Sequence, residues 1–247
     1  MADRSRRATA LWALAALLGA SALGAAPARA GDAGLDPARV EALEQAAPDL
    51  DPSVLERAVQ ASSCAARRGL VADPSTLTVI DYTRPSTERR LFVLDVEAPA
   101  LLHEELVAHG RETGENVARR FSNDPGSHQS SLGLFVTLGT YVGSHGRSLR
   151  LLGLEPGVND RAEERAIVLH GASYVNETFA ALHGRLGRSF GCPAVAVEVA
   201  QRLIDAIRGG TPVFAWYPDP AWLTRSPFLG ACEEAPAQRT ALGAAAR

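Results

Sequence analysis

The residues of this chain best suited to covalent chemistry are Cys192 and His170, and each stands at the end of an element. His170-Gly171 closes an apolar run, Ala166 to His170, that reads as a strand. A glycine-rich loop, Gly184 to Gly191, then delivers Cys192 and Pro193 to what reads as a helix start. Proline fits the first helical turn, so Cys192 is expected at or beside the N-cap, where unpaired N–H groups and the helix dipole favour a thiolate. Arg185 and Arg188 are candidate basic neighbours that would lower the thiol further. In this arrangement Cys192 is the nucleophile, His170 its base, and the Gly171 carbonyl the group that fixes the imidazole tautomer. The backbone N–H groups at Gly191 and Cys192 would hold an oxyanion, with Ser189 and Arg188 beside them as substrate-binding candidates. Packing is the competing explanation, because free cysteine is among the most buried residue types and a strand-end histidine is more often structural than catalytic.

Other polar residues offer less. His128 and His145 lie in polar turns beside glycine and serine, without metal-type spacing, and are expected at the surface with no metal. Ser131 and Tyr174 are open to two readings, lining a groove or filling turn and packing positions. Asn176-Glu177-Thr178 is formally a glycosylation acceptor. All 25 basic residues are arginine, which removes lysine-nucleophile and Schiff-base chemistry.

The elements that must position the pair belong to a mostly β body. Strands are expected at Leu77 to Tyr82, Leu91 to Val96, Leu132 to Thr137, Ala166 to His170 and Thr211 to Tyr217, separated by Pro, Gly, Ser and Asp clusters. One helix, Pro193 to Arg208, carries Ala196, Val199, Ala200, Leu203, Ile204 and Ile207 at three-and-four spacing and stops at Gly209-Gly210. Asp36-Pro37 and Asp51-Pro52 each pair an N-cap acid with a first-turn proline, which predicts a helical hairpin over residues 31–74, its second helix ending at Gly69. Residues 221–247 form a C-terminal tail, expected to be partly disordered over Glu233 to Arg247, where large apolar groups are few.

The 247 residues are 46% hydrophobic and 21% charged, enough to bury a core without metal or disulfide staples. A formal charge of −3 argues against nucleic acid as a partner. Arg4, Arg6 and Arg7 precede an apolar stretch, Ala8 to Ala26, and Ala28-Arg29-Ala30 supplies a small-x-small cleavage site before Gly31. Residues 1–30 thus read as an export signal, leaving no stable membrane span after cleavage; Ser5-Arg6-Arg7 keeps the twin-arginine route open beside the general one. The mature chain would lose four arginines and one aspartate and hold 21 basic and 27 acidic residues. Three cysteines are an odd number for an oxidising compartment. The simplest partition pairs Cys64 with Cys232 and leaves Cys192 reduced.

The string Ile167-Val168-Leu169-His170-Gly171-Ala172-Ser173-Tyr174-Val175, followed by Gly184-Arg185-Leu186-Gly187-Arg188-Ser189-Phe190-Gly191-Cys192-Pro193-Ala194, resembles the L,D-transpeptidase catalytic-domain family, the YkuD-like murein cross-linking enzymes. His109-Gly110, Phe121-Ser122-Asn123 and Ser130-Ser131-Leu132-Gly133 extend the likeness, which covers roughly residues 75–220. The resemblance implies a β-rich catalytic domain with Cys192 as nucleophile and His170 as its activator. The implied partner is peptidoglycan stem peptide: the thiolate attacks the carbonyl of the third residue, usually diaminopimelate, expels D-alanine and passes the acyl group to an amine of a neighbouring stem. The product is a 3-3 cross-link, made without metal or organic cofactor in the periplasm or cell wall. With water as acceptor the same residues make an L,D-carboxypeptidase, and a peptidoglycan-binding module without turnover is the reading of another class. The chain departs from the commoner Ser-His-Gly-Cys signature at Phe190, which is expected to pack or wall the site. It also lacks the usual arginine shortly after the cysteine, a charge that Arg188 is expected to supply by another route.

Overall fold

Aspartate caps start both N-terminal helices. The computed structural model describes residues 36–232; the expected leader at residues 1–30 and the end of the expected tail, residues 233–247, lie outside them. Asp36 accepts from the Ala38 N–H at the head of α1 (Pro37–Ala46), and Asp51 accepts from the Ser53 N–H at the head of α2 (Pro52–Arg67). Gly69, at φ 70°, turns the chain out of α2.

The body is one eight-stranded sheet. Its strands are β1 (Thr76–Asp81), β2 (Leu91–Asp95), β3 (Ala100–Glu105), β4 (Gly133–Gly143), β5 (Gly146–Gly153), β6 (Val168–Gly171), β7 (Ala194–Val195) and β8 (Pro212–Trp216), in the spatial order β3-β2-β1-β8-β4-β5-β6-β7. Strand β8 lies parallel to β1 and antiparallel to β4, which joins the first meander to the second half of the sheet. Strands β1 and β8 are buried almost throughout, β8 as an unbroken apolar run and β1 with Thr78 and Asp81 among its apolar residues. Helix α2 packs on both of them, and α4 (Val197–Ile207) packs on β6, β5 and β1 through Val199, Ala200, Leu203, Ile204 and Ile207. The fold is therefore mainly β, with the helical hairpin ahead of the sheet and a helix after Cys192.

The expected helix from Pro193 is corrected. Ala194 and Val195 are extended and pair in parallel with His170 and Gly171, and the Ala108 N–H donates to the Ala194 carbonyl on the other side, at 2.8 Å. With its backbone engaged by two neighbours, this dipeptide cannot join the helix, which begins after Ala196. Cys192 is thus four residues ahead of the cap rather than on it. Five elements were not expected from the residues: β3, β5 with the Ser144-His145 turn before it, β7, α3 (Glu177–His183) and α5 (Pro220–Leu223). Asn176 of the formal glycosylation sequon is the N-cap of α3, accepting from the Phe179 N–H at 2.7 Å.

Residues 220–232 pack onto this body. Helix α5 (Pro220–Leu223) buries Trp222, Phe228 is buried behind it, and a disulfide joins Cys232 to Cys64 of α2 with Cα atoms 5.6 Å apart. The indole N–H of Trp222 donates to the Glu155 carboxylate at 2.7 Å, and the Leu134 N–H donates to its other oxygen at 2.7 Å. Burial pushes the Glu155 carboxyl up, while these donors pull it back. Asn159 completes the plug by donating to the carbonyls of Leu132 and Leu134. Glu155→Ala strands two buried donors and is expected to cost about 2–5 kcal/mol. Urea unfolding of E155A checks this: an unchanged midpoint would show that the plug contributes nothing.

Candidate active site

Gly191 and Gly110 meet where the Cys192 loop crosses the segment after β3. A Cβ on Gly110 would lie 2.4 Å from the His128 carbonyl and 3.0 Å from the Gly191 Cα, so the two backbones approach closer than any side chain permits. The Ser189 N–H donates to the His109 carbonyl at 3.0 Å, and the Arg111 N–H donates to the Ser189 carbonyl at 2.8 Å. Within the loop, the Ser189 hydroxyl donates to the Cys192 carbonyl at 2.6 Å and accepts from the Gly191 N–H at 3.1 Å. Ser130 closes the turn from outside, donating to the Gly191 carbonyl at 3.1 Å.

His170 ends β6 one strand away, its N–H donating to the Pro193 carbonyl at 3.4 Å, next to Cys192. Its Nδ1 lies 3.0 Å from the Gly171 carbonyl. A carbonyl only accepts, so Nδ1 carries the proton and Nε2 of the neutral ring keeps the lone pair that a base needs. Burial lowers the His170 pKa; the Gly171 bond raises it and the positive form of His145 lowers it further. His145 is an exposed turn residue, as expected, yet its ring stacks on His170 with centroids 4.4 Å apart.

Cys192 is the free cysteine, half-buried, with Sγ 3.6 Å from the Ala166 carbonyl. Ala166 holds φ 53°, a conformation that β-carbon residues adopt rarely. Burial pushes the thiol up; the N–H groups of Val168 and of Cys192 itself and the charge of Arg165 pull it down, without cancelling the burial. The expected placement of the thiol at a helix N-terminus is therefore corrected, and burial shifts both groups toward the thiol and the neutral imidazole.

The cation facing the sulfur is Arg165, not Arg188 or Arg185. The Arg165 guanidinium donates to the carbonyls of Ser122 and Gln129 and to the hydroxyls of Ser127 and Ser131. Arg188 instead pairs with Glu115 at 2.7 Å and donates to the carbonyls of Arg111 and Gly114, while Arg185 pairs with Glu115 at 2.9 Å. Both brace a loop rather than the thiol. The expected oxyanion donors are halved as well, since the Gly191 N–H is taken by Ser189. Ser131 serves the Arg165 bracket, and Tyr174 is held at about 12 by burial, with Cys192 near enough to add to the shift. Phe190 is 66% exposed, its ring between His128, with centroids 4.7 Å apart, and the Arg111 guanidinium at 4.8 Å.

Sequence reasoning missed Arg165 because Arg161 to Arg165 reads as a solvated charge run. It read His145 as a surface residue, with no signal that the hairpin folds this turn over β6.

The family model described as the L,D-transpeptidase catalytic domain matches residues 46–216. The chain belongs to that family. Three solved structures show the kind of likeness found among known folds. An L,D-transpeptidase from Mycobacterium smegmatis is 13% identical over 58% of this chain and 59% of its own, with TM-score 0.36. One from Mycobacterium tuberculosis H37Rv is 16% identical over 58% of each chain, with TM-score 0.35. The helical cell shape determining protein Pgp2 from Campylobacter jejuni is 11% identical over 66% of this chain and 56% of its own, with TM-score 0.39. This chain thus spans less than two thirds of each of those proteins. No curated protein matches.

The resting protonation state gives a direct test. A raised thiol pKa leaves less thiolate at any given pH, so Cys192 should react with iodoacetamide more slowly than free cysteine at pH 7. Its rate should keep rising beyond the pH at which free cysteine levels off. A fast reaction with an acid-shifted midpoint would instead reveal a thiolate–imidazolium pair.

Proposed function

We propose that the protein is an exported cysteine acyltransferase that forms 3-3 cross-links between peptidoglycan stem peptides through a thioester on Cys192. The observation that carries this reading is His170: a buried, neutral imidazole with Nδ1–H bound to the Gly171 carbonyl, one strand from the free thiol of an L,D-transpeptidase domain.

In the first half-reaction Nε2 of His170 takes the proton from Sγ as the sulfur attacks the carbonyl carbon of the third stem residue. The C–N bond to the terminal D-alanine breaks, and its nitrogen leaves with the proton returned by the imidazolium. In the second, an amine of a neighbouring stem attacks the thioester carbon, His170 removes a proton from that nitrogen, and Cys192 departs as thiolate and is reprotonated. The Cys192 N–H and Val168 N–H face the sulfur and would steady the thiolate as it forms, and Arg165 supplies a fixed positive potential. Generating the thiolate only on substrate arrival suits a thiol that would otherwise be oxidised in the compartment where Cys64 and Cys232 pair. That disulfide also supports export to the periplasm or cell wall. Among the described residues no helix is long and apolar enough to cross a membrane.

Incubating reduced-to-free-thiol mature protein with tetrapeptide muropeptides should give dimers lacking one terminal D-alanine, detected by mass spectrometry. Cys192→Ala should abolish them, and His170→Gln should lower the rate by about 10²–10⁴. Because burial lowers the His170 pKa, the acid limb of the wild-type pH profile should fall below the ordinary histidine value of 6.5. Tripeptide monomers in place of dimers would make water the acceptor and the protein a carboxypeptidase; unchanged muropeptides would sink the enzymatic reading.

A further inference from the structure

The β4–β5 ribbon runs past the stretch of β5 that pairs with β6. Leu149 stands opposite Leu169 and Arg150 opposite Val168, so the turn ahead of them, Ser144-His145, reaches the end of β6, where His170 stands. Gly143 faces Gly146 across that turn, and Gly146 holds φ 73°, the left-handed conformation that so tight a hairpin needs. Arg147, just after the turn, donates to the Asp205 carboxylate at 2.8 Å and ties the ribbon to α4, the helix that packs on β6. His145 takes no part in this bracing. Among the described residues its specific partner is the His170 ring, with centroids 4.4 Å apart and planes 27° from parallel.

A hydrogen bond in the plane of an imidazole fixes one edge of the ring and not its tilt. The Gly171 carbonyl holds Nδ1–H of His170, and a flat ring laid on the face supplies the missing constraint. We propose that His145 is a positioning residue for the acyl transfer, its ring clamping the plane of the His170 imidazole so that the Nε2 lone pair keeps the direction in which it takes the Cys192 proton. The role rests on the acyl-transfer reading given above. His145 is also a cover, an exposed ring stacked on a buried one, and so stands between His170 and water. The cover and the positive form of His145 act in the same direction, against protonation of His170. The other ionisable groups on the elements packed against β6 are Arg147 and Arg150 of β5 and Glu198, Arg202 and Asp205 of α4, while β7 carries none. His145 is the one whose charge reaches the His170 ring.

Phenylalanine at this position keeps a flat ring without the charge, and alanine keeps neither, so two variants separate the clamp from a contact that only steadies the hairpin. With tetrapeptide muropeptides, His145→Ala should lower kcat about tenfold or more and leave KM within about twofold, the pattern of a misdirected reacting group rather than a lost substrate contact. His145→Phe should restore kcat at the plateau to within about threefold of the wild-type value. Losing the charge raises the His170 pKa, and the base must be neutral to act, so in both variants the acid limb of the pH profile should move up toward 6.5. NMR titration of the His170 ring should show the same upward movement without any turnover. A wild-type kcat in His145→Ala, a His145→Phe no faster than His145→Ala, or an acid limb and ring titration that stay in place in both variants would overturn the positioning role. Wild-type turnover separates the two failures: turnover that the variants leave unchanged removes the positioning role alone, and no turnover by the wild-type protein removes the acyl-transfer reading and the role with it.

Discussion

A buried guanidinium bonded to backbone carbonyls and an imidazole sets the position of the reactive loop. Arg90 is fully inaccessible, and burial lowers its pKa to about 10 without discharging it near neutrality. Its cost of burial is offset by donors that all find acceptors: the Val107 carbonyl twice, the Arg84 carbonyl, and Nδ1 of His109 at 2.8 Å. An arginine cannot accept, so His109 must be the acceptor there and carry its proton on Nε2, which faces the Gly114 carbonyl. Burial and the Arg90 charge hold His109 at about 4, well into its neutral form. The segment from Val107 to Gly110 is thereby fixed, and its backbone holds Ser189 and Ala194 on either side of Cys192. Tyr82, edge-on to His109 and under Arg90, closes this layer from the sheet side.

The site is consequently built from backbone more than from side chains. Gly110 and Gly191 pass too close for a Cβ on Gly110, the Ala108–Ala194 and His170–Ala194 pairings hold Pro193 in line, and Arg165 gathers four acceptors from the 122–131 loop. Such a frame leaves few ways for the thiol to move relative to the imidazole, which is the condition for proton transfer between two neutral groups. Among the described residues, the two non-glycine residues in the left-handed region, His128 and Ala166, flank this same frame, one beside Phe190 and one under the sulfur. Strain of this kind persists where surrounding contacts over-determine the backbone.

Much of this was legible in the residues and some was not. The five expected strands and both N-terminal helices exist, because apolar runs bounded by turn residues, and Asp-Pro caps, are local signals. The two parallel pairings, β1 with β8 and β6 with β7, are set by distant segments, and the second took Ala194-Val195 out of the expected helix. The β4–β5 ribbon was obscured by its glycines, Gly139, Gly143 and Gly146, which read as loop although they tolerate the strongly twisted hairpin. At the site, the tautomer-fixing role of Gly171 followed from adjacency alone. Which arginine faces the sulfur did not, since charge partners are chosen by tertiary contacts that no spacing encodes.

The Gly171 carbonyl has a consequence for how this site responds to change. In the proposed set of Cys192, His170 and Gly171 the third member would be a main-chain atom, so no side-chain replacement could delete it, and a scan by alanine substitution would count two participants where the proposal has three. A carbonyl also brings a dipole rather than a full charge, so it orients the imidazole while giving the imidazolium less support than an aspartate would. In the proposed reaction a proton taken up by His170 would therefore be readily given back, and would leave with the departing amine rather than remain on the ring.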